Sequence, residues 1–342
     1  MAEKKDEFRY SEEKKKLDRQ EISRCYLLYG PEEYLKEVFA DNIRKAVLPD
    51  DDGFSFKKFS DNDFDITDID EAVNSVPFLS EHTLVEVHDL DLNKYGEQLL
   101  PVISDIPDYC TVVFIQNSEF SPDFRLKSNK YIRENYSVFN IAVQSQNELT
   151  RWISRRFAAE GKKIGAEAAE QLIFLSGSSM NGLIPEINKI ASAVTGDIIT
   201  PEDVAKYAHH LPEADVFEMV EKLSQGDNRA AVSMMAELLD SKSSEPIQLL
   251  AIIASQYKRL YAACIAKAER KNADWLVSSE VVKFDWLARK LMNMGSRYSE
   301  QRLADILCTL TDADYKMKTG SGENTDVLKD VLIYLTAGGA DA

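Results

Sequence analysis

Gly30 and Lys36 are the residues of this sequence best placed to grip a phosphate. They follow the apolar run Cys25–Tyr29 (CYLLY), which reads as a strand feeding a turn and a helix. A phosphate-binding loop of the form G-x-x-x-x-G-K-[ST] occupies that place in P-loop NTPases. Gly30 and Lys36 match it, whereas Leu35 replaces the second Gly and Glu37 replaces the Ser or Thr. Such a loop works by aiming successive backbone N–H groups at the phosphates from a helix N-terminus. Here Pro31 has no N–H, Glu32 and Glu33 bring negative charge, and Leu35 sets a Cβ where the backbone should approach a ligand. The expectation is a degenerate loop at Gly30, Leu35, Lys36 and Glu37 that binds no nucleotide and needs no cofactor.

Other chemistry is sparse. His82, His88, His209 and His210 show no metal-ligand spacing, and the adjacent pair reads as a solvated loop. His88-Asp89-Leu90-Asp91 follows a strand with carboxylates but without a paired Asp-Glu at its end. No nucleophile elbow is present. Catalytic and metal-binding residues are therefore expected to be absent. The segment Val76-Pro77-Phe78-Leu79 differs in kind. It is a short connector stiffened by Pro77, with two large apolar side chains side by side. Two readings stand open: these side chains fold back onto a sheet as core, or they form an exposed wedge that anchors a partner.

The elements that position these residues can be read from periodicity. Strands are expected at Cys25–Tyr29, Phe54–Phe59, Thr83–Val87, Thr111–Gln116 and Val138–Ala142, alternating with helical patterns. That alternation predicts a parallel sheet covered by helices over residues 21–144. Residues 1–20 are mixed-charge and predict a disordered extension, and the Asp-rich stretch 61–71 predicts a loop and helix start. At Ser145-Gln146-Asn147-Glu148 a capping box opens a helical stretch, and Thr200-Pro201-Glu202-Asp203 opens a later helix. Residues 145–212 thus predict a small helical domain. Beyond it, apolar residues recur at helical spacing at Ala231–Leu239, Ile253–Cys264, Leu303–Leu310 and Val327–Leu335, predicting a helical bundle over 213–342.

Length and charge bound the function. The 342 residues carry a formal net charge of −17, which opposes autonomous, tight DNA binding while leaving room for a local basic patch. Protein partners come first. Four scattered cysteines without a C-x-x-C pair fit a reduced cytosol, and the charged start shows neither a signal peptide nor a membrane span. The expected location is cytoplasmic, with no membrane partner.

Taken in order, the motifs resemble the delta subunit of the bacterial DNA polymerase III clamp loader. The resemblance rests on Tyr29-Gly30-Pro31-Glu32-Glu33-Tyr34-Leu35, on Pro77-Phe78-Leu79-Ser80-Glu81-His82-Thr83-Leu84-Val85, and on Leu149–Ile164. It continues through Ile199–Val204, Val216–Val220, Gln256–Leu260 and Ala313–Gly320. It implies an AAA+-like α/β domain, a helical lid and a C-terminal helical collar that joins other loader subunits, including the ATPases. It implies a non-hydrolysing subunit that binds and opens the ring-shaped sliding clamp for loading onto primed DNA. The clamp-binding role maps onto Val76, Pro77, Phe78 and Leu79, with Pro77 standing where some lineages carry Leu. The rival readings are a divergent but active P-loop ATPase and a replication scaffold without clamp specificity.

Overall fold

A computed structural model describes residues 10–50, 53–60, 64–78, 80–240 and 245–337. It divides into two compact units, Met1–Ser145 with Ser179–Asn181, and Gln146–Ser178 with Gly182–Ala342.

The first unit runs α1 (Tyr10–Asp18), β1 (Cys25–Tyr29), α2 (Glu33–Val47), β2 (Phe56–Phe59), α3 (Ile66–Asn74), β3 (Thr83–His88), α4 (Leu92–Ser104), β4 (Cys110–Ile115), α5 (Lys127–Asn135) and β5 (Ser137–Asn140). The five strands form one parallel sheet in the order β2-β3-β4-β1-β5. Parallel strands buried on both faces read as continuous apolar runs, which is why CYLLY and CTVVFI mark β1 and β4 so plainly. Side chains alternate between faces. Cys25, Leu27, Val85, Val112 and Phe114 pack with Ile69, Val73, Leu99, Ile103 and Ile132 of the helices on one side. On the other side Phe39 of α2 meets Tyr26 and Phe139 edge to face.

The strand boundaries shift slightly from expectation. β2 starts at Phe56, leaving Phe54 in the preceding loop, although the Ser55 carbonyl still accepts from the Leu84 N–H at 2.9 Å. β5 ends at Asn140 because the Ile141 carbonyl turns to accept from Glu32 N–H at 3.1 Å. One expectation is corrected: Tyr10–Asp18, placed in a disordered extension, is a helix packed on α2. Leu17 is buried there, and Asn42 Nδ2 donates to the Tyr10 hydroxyl at 3.0 Å. Residues 1–9 of that stretch lie outside the described residues.

The second unit is almost wholly helical: α6 (Gln146–Ala159), α7 (Ala166–Ser176), α8 (Met180–Ala193), α9 (Pro201–Tyr207), α10 (Pro212–Ser224), α11 (Asn228–Asp240), α12 (Pro246–Ala268), α13 (Ala273–Ser278), α14 (Asp285–Gly295), α15 (Glu300–Thr319) and α16 (Asn324–Ala337). Two short parallel strands, β6 (Lys163–Ile164) and β7 (Ile198–Ile199), pair between them. Thr200 caps α9 reciprocally with Asp203, ahead of Pro201. The apolar stripes converge as expected, with Ala231, Ile253, Tyr257, Leu260, Leu303, Ile306, Leu310 and Leu328 all buried. No helix among the described residues is long and apolar enough to cross a membrane.

Candidate functional site

The Gly30 turn is built to be closed. Gly30 has φ +108°, and a Cβ there would fall 2.6 Å from Asn140 Oδ1 and 2.7 Å from the Ile141 carbonyl oxygen. Only Gly permits that backbone conformation at that distance. Glu32 N–H, one of the donors a phosphate would need, is spent on the Ile141 carbonyl.

Lys36 completes the closure. It is fully buried on the first turns of α2, and its ammonium donates to the Gln116 carbonyl at the end of β4. Its second partner is Glu33 Oε1 at 3.0 Å. Gln116 is itself buried, donating from Nε2 to the Leu90 carbonyl at 2.9 Å. The cation that a nucleotide loop aims at phosphates is thus absorbed by the protein's own carbonyl and carboxylate. Glu32 is also buried, and that burial raises its carboxyl above the usual range. Leu35 packs inward. Glu37, at the hydroxyl position of the template, lies 3.8 Å from His88 Nδ1, whose Nε2 is 3.4 Å from Glu86 Oε2. No group of three or more His, Cys, Asp or Glu among the described residues could hold a metal ion.

The opposite end of the sheet is open. α3 starts on Asp65, whose carboxylate accepts from Thr67 and Asp68 N–H, and its buried Ile69, Ala72 and Val73 fix it to the sheet. The helix stops at Ser75, in extended backbone, because the residue before Pro77 is barred from the helical region. The connector then runs to β3 with Val76 72% exposed and Phe78 89% exposed. Of the two readings open in the sequence for Phe78 and Leu79, the core reading does not fit the exposure of Phe78. Pro77 is half-buried, and Leu79 lies outside the described residues. Ser80 pins the far end of the connector, donating to the His82 carbonyl and lying 2.6 Å from Ser55 Oγ.

That last bond brings in a residue sequence reasoning missed. Ser55 carries Phe54 to the same end of the sheet, and Phe54 is 70% exposed. Gly53, which precedes it, is the signal that can end the strand pattern, whereas the apolar run places Phe54 as the first strand residue. A groove of about 760 Å³ also opens at this end, lined by Arg24, Val47, Leu48, Ser80, His82 and Thr111 among others.

In the second unit the adjacent histidines part company. Both lie in the loop between α9 and α10, as expected; His209 is exposed, whereas His210 is half-buried and tied down. Its Nδ1 lies 3.1 Å from Asp215 Oδ1 and its Nε2 3.3 Å from the Ala205 carbonyl. The hydrogen bond to Asp215 raises its pKa, with burial opposing.

Comparison with known proteins gives one consistent answer. The model for DNA polymerase III, delta subunit, matches residues 26–142, and that for its C-terminal domain matches residues 213–335. DNA polymerase III subunit delta of Bacillus subtilis is 26% identical over 337 residues, covering 94% of this chain and 95% of the relative. A probable DNA polymerase III subunit delta of Aquifex aeolicus is 23% identical over 326 residues, covering 90% of each. Among solved structures, the Bacillus subtilis DNA clamp loader delta protein superposes with a TM-score of 0.52 at 23% identity, covering 94% of this chain and 98% of the other.

Proposed function

The chain belongs to the DNA polymerase III delta-subunit family, and on that premise we propose that it binds and opens the ring-shaped sliding clamp for loading onto primed DNA. The observation that carries this reading is the exposed connector, with Phe78 and Val76 held out from a rigid sheet between a capped helix and the Ser80 anchor. Large apolar side chains left in water at a fixed position have the character of interface anchors. The proposed clamp-binding residues are Val76, Pro77, Phe78 and Leu79, with Phe54 as an addition at the same sheet end.

A closed ring is held by its own interfaces, so a binder opens it only by preferring the open or strained form. A wedge on a rigid domain supplies that preference by seating beside one ring interface. The chain itself hydrolyses nothing in this proposal, because Lys36 is already engaged by Gln116 and Glu33 and Glu32 N–H by Ile141. ATP binds neighbouring loader subunits, and their assembly couples reciprocally to exposure of the wedge. Residues 145–212 act as the lid, and residues 213–342 as the collar that joins those subunits. A cytoplasmic location follows from the replication role. Titration of the full chain with the sliding clamp tests the proposal, with Phe78→Ala as the discriminating variant.

A further inference from the structure

Helix α6 carries a charge opposite to that of the chain. The stretch 146–163 holds Arg151, Arg155, Arg156, Lys162 and Lys163 against two carboxylates, Glu148 and Glu160, in a protein of net charge −17. The helix is strictly two-faced. Leu149, Ile153 and Phe157 are buried at intervals of four. Arg151, Arg155 and Ala159 lie two residues on from each, about 200° around the helix at ~100° per residue, and all three are exposed.

The two arginines on that outer face are unspent. Among the described residues neither Arg151 nor Arg155 is paired with a carboxylate, whereas Lys189 is bridged to Glu186 and Lys290 to Glu221. Their neighbours are occupied. Arg156 lies over the Trp152 ring at 6.0 Å, and Lys162 donates to the carbonyls of Val194 and Gly196 at 2.8 Å each. Lys163 is exposed at the far end of the stretch, on β6 beside Asp197.

We infer that the outer face of α6 binds the phosphate backbone of duplex DNA directly. About one helical turn separates Arg151 from Arg155, a rise of about 6 Å along the axis, so their side chains can reach neighbouring phosphates along one strand. Guanidinium forks match phosphate oxygens bidentately. The other exposed positions of this face are Asn147, Glu148, Ala158 and Ala159, and the two alanines are small enough to let a backbone approach closely beyond the arginines. A protein partner would instead need a large apolar anchor at the centre of the contact, and this face offers none. Two phosphate contacts supply orientation without sequence preference. This inference is independent of the clamp-binding reading, since it concerns another unit and another partner.

The test is fluorescence anisotropy of a labelled primed duplex with the full chain, without clamp, over stepped salt. The wild type is expected to bind at low salt. R151Q/R155Q is expected to weaken binding and to reduce the slope of log affinity against log salt by about 1.8, the value for two lost contacts. R151K/R155K, which keeps the charges, is expected to keep most of that slope. Absence of wild-type binding at low salt, or an unchanged slope in R151Q/R155Q, overturns the inference. So does a double variant that binds DNA normally but loses affinity for another loader protein, which would make the face a protein contact. The clamp titration of Phe78→Ala is read without DNA, so the two proposals fail separately.

Discussion

Replacing Phe78 by Ala isolates the proposed wedge from the fold beneath it. The side chain is 89% exposed in the free chain, so docking can remove nearly its whole surface from water. Burying a Phe side chain is worth about 1.5–3 kcal/mol. Truncation to Ala forfeits most of that, giving an expected loss of about 2 kcal/mol in clamp binding, or roughly 30-fold in Kd. Because Phe78 supports nothing in the free chain, unfolding stability should move by less than about 0.5 kcal/mol. Val76→Ala, at 72% exposure, removes a smaller apolar surface and should cost about 1 kcal/mol. Titration calorimetry with the sliding clamp gives the affinities, and a denaturant melt of each variant gives the stabilities. Unchanged affinity for Phe78→Ala refutes the wedge. A large fall in stability would refute the structural premise instead, since it would mean that the ring is packed.

Four further outcomes test the closed end of the sheet and the helical unit. Lys36→Ala leaves the Gln116 carbonyl without its donor and empties a buried site, so it should destabilise the chain by about 2–4 kcal/mol in a urea melt. Calorimetry should detect no magnesium-dependent ATP binding by the wild-type chain, and micromolar affinity would overturn the closed-loop reading. Gly30→Ala forces a Cβ against Asn140 and Ile141 at φ +108° and should cost at least about 2 kcal/mol. His210 has a folded pKa raised above 6.5 by Asp215, so its stabilising contribution is full below the unfolded pKa and is lost as pH rises through the folded value. The stability difference between wild type and His210→Gln should therefore shrink from pH 5.5 to pH 8.5, and a difference that grows with pH would contradict the ion pair.

The sheet was legible because strands buried on both faces leave continuous apolar runs, and β1, β3 and β4 were placed to within a residue. Where burial is one-sided or a strand is very short, the signal thins. β2 is half-exposed at Phe56 and Phe59, so its start was misplaced by two residues and Phe54 was hidden inside it. β6 and β7 have two residues each, too few for any alternation to show. α1 is not legible because a helix that buries little besides Leu17 among six charged side chains from Ser11 to Asp18 has almost no periodic apolar stripe. At the site, the mismatches at Leu35 and Glu37 were readable, but the fate of Lys36 was not. A lysine that reaches phosphate and one that satisfies a carbonyl have the same sequence neighbours. The exposure of Phe78 was equally undetermined, since an apolar connector beside a strand can pack inward or outward.

The two ends of this sheet explain each other. In a parallel sheet every strand presents its C-terminal end to one side, and that side is where a nucleotide would enter. Here it is sealed by Gly30 against Ile141 and by Lys36 against Gln116. In the proposed reading these contacts hold the turn after β1 and the start of α2 to the ends of β4 and β5. The connector that carries Phe78 joins β3 at its N-terminal end, a strand length of roughly 17 Å away at ~3.3 Å per residue. A wedge can apply differential affinity to a ring only if its own platform does not yield when the ring resists. On the proposed function, a loop that binds no nucleotide is a mechanical gain, because Lys36 and Gly30 then brace the strands behind the wedge. A variant that loosens the sealed end while keeping Phe78, such as Lys36→Ala at a temperature where it remains folded, should therefore still bind the clamp but open it less. Clamp opening read by fluorescence across a ring interface measures that separation, and equal loss of binding and opening would refute the bracing argument.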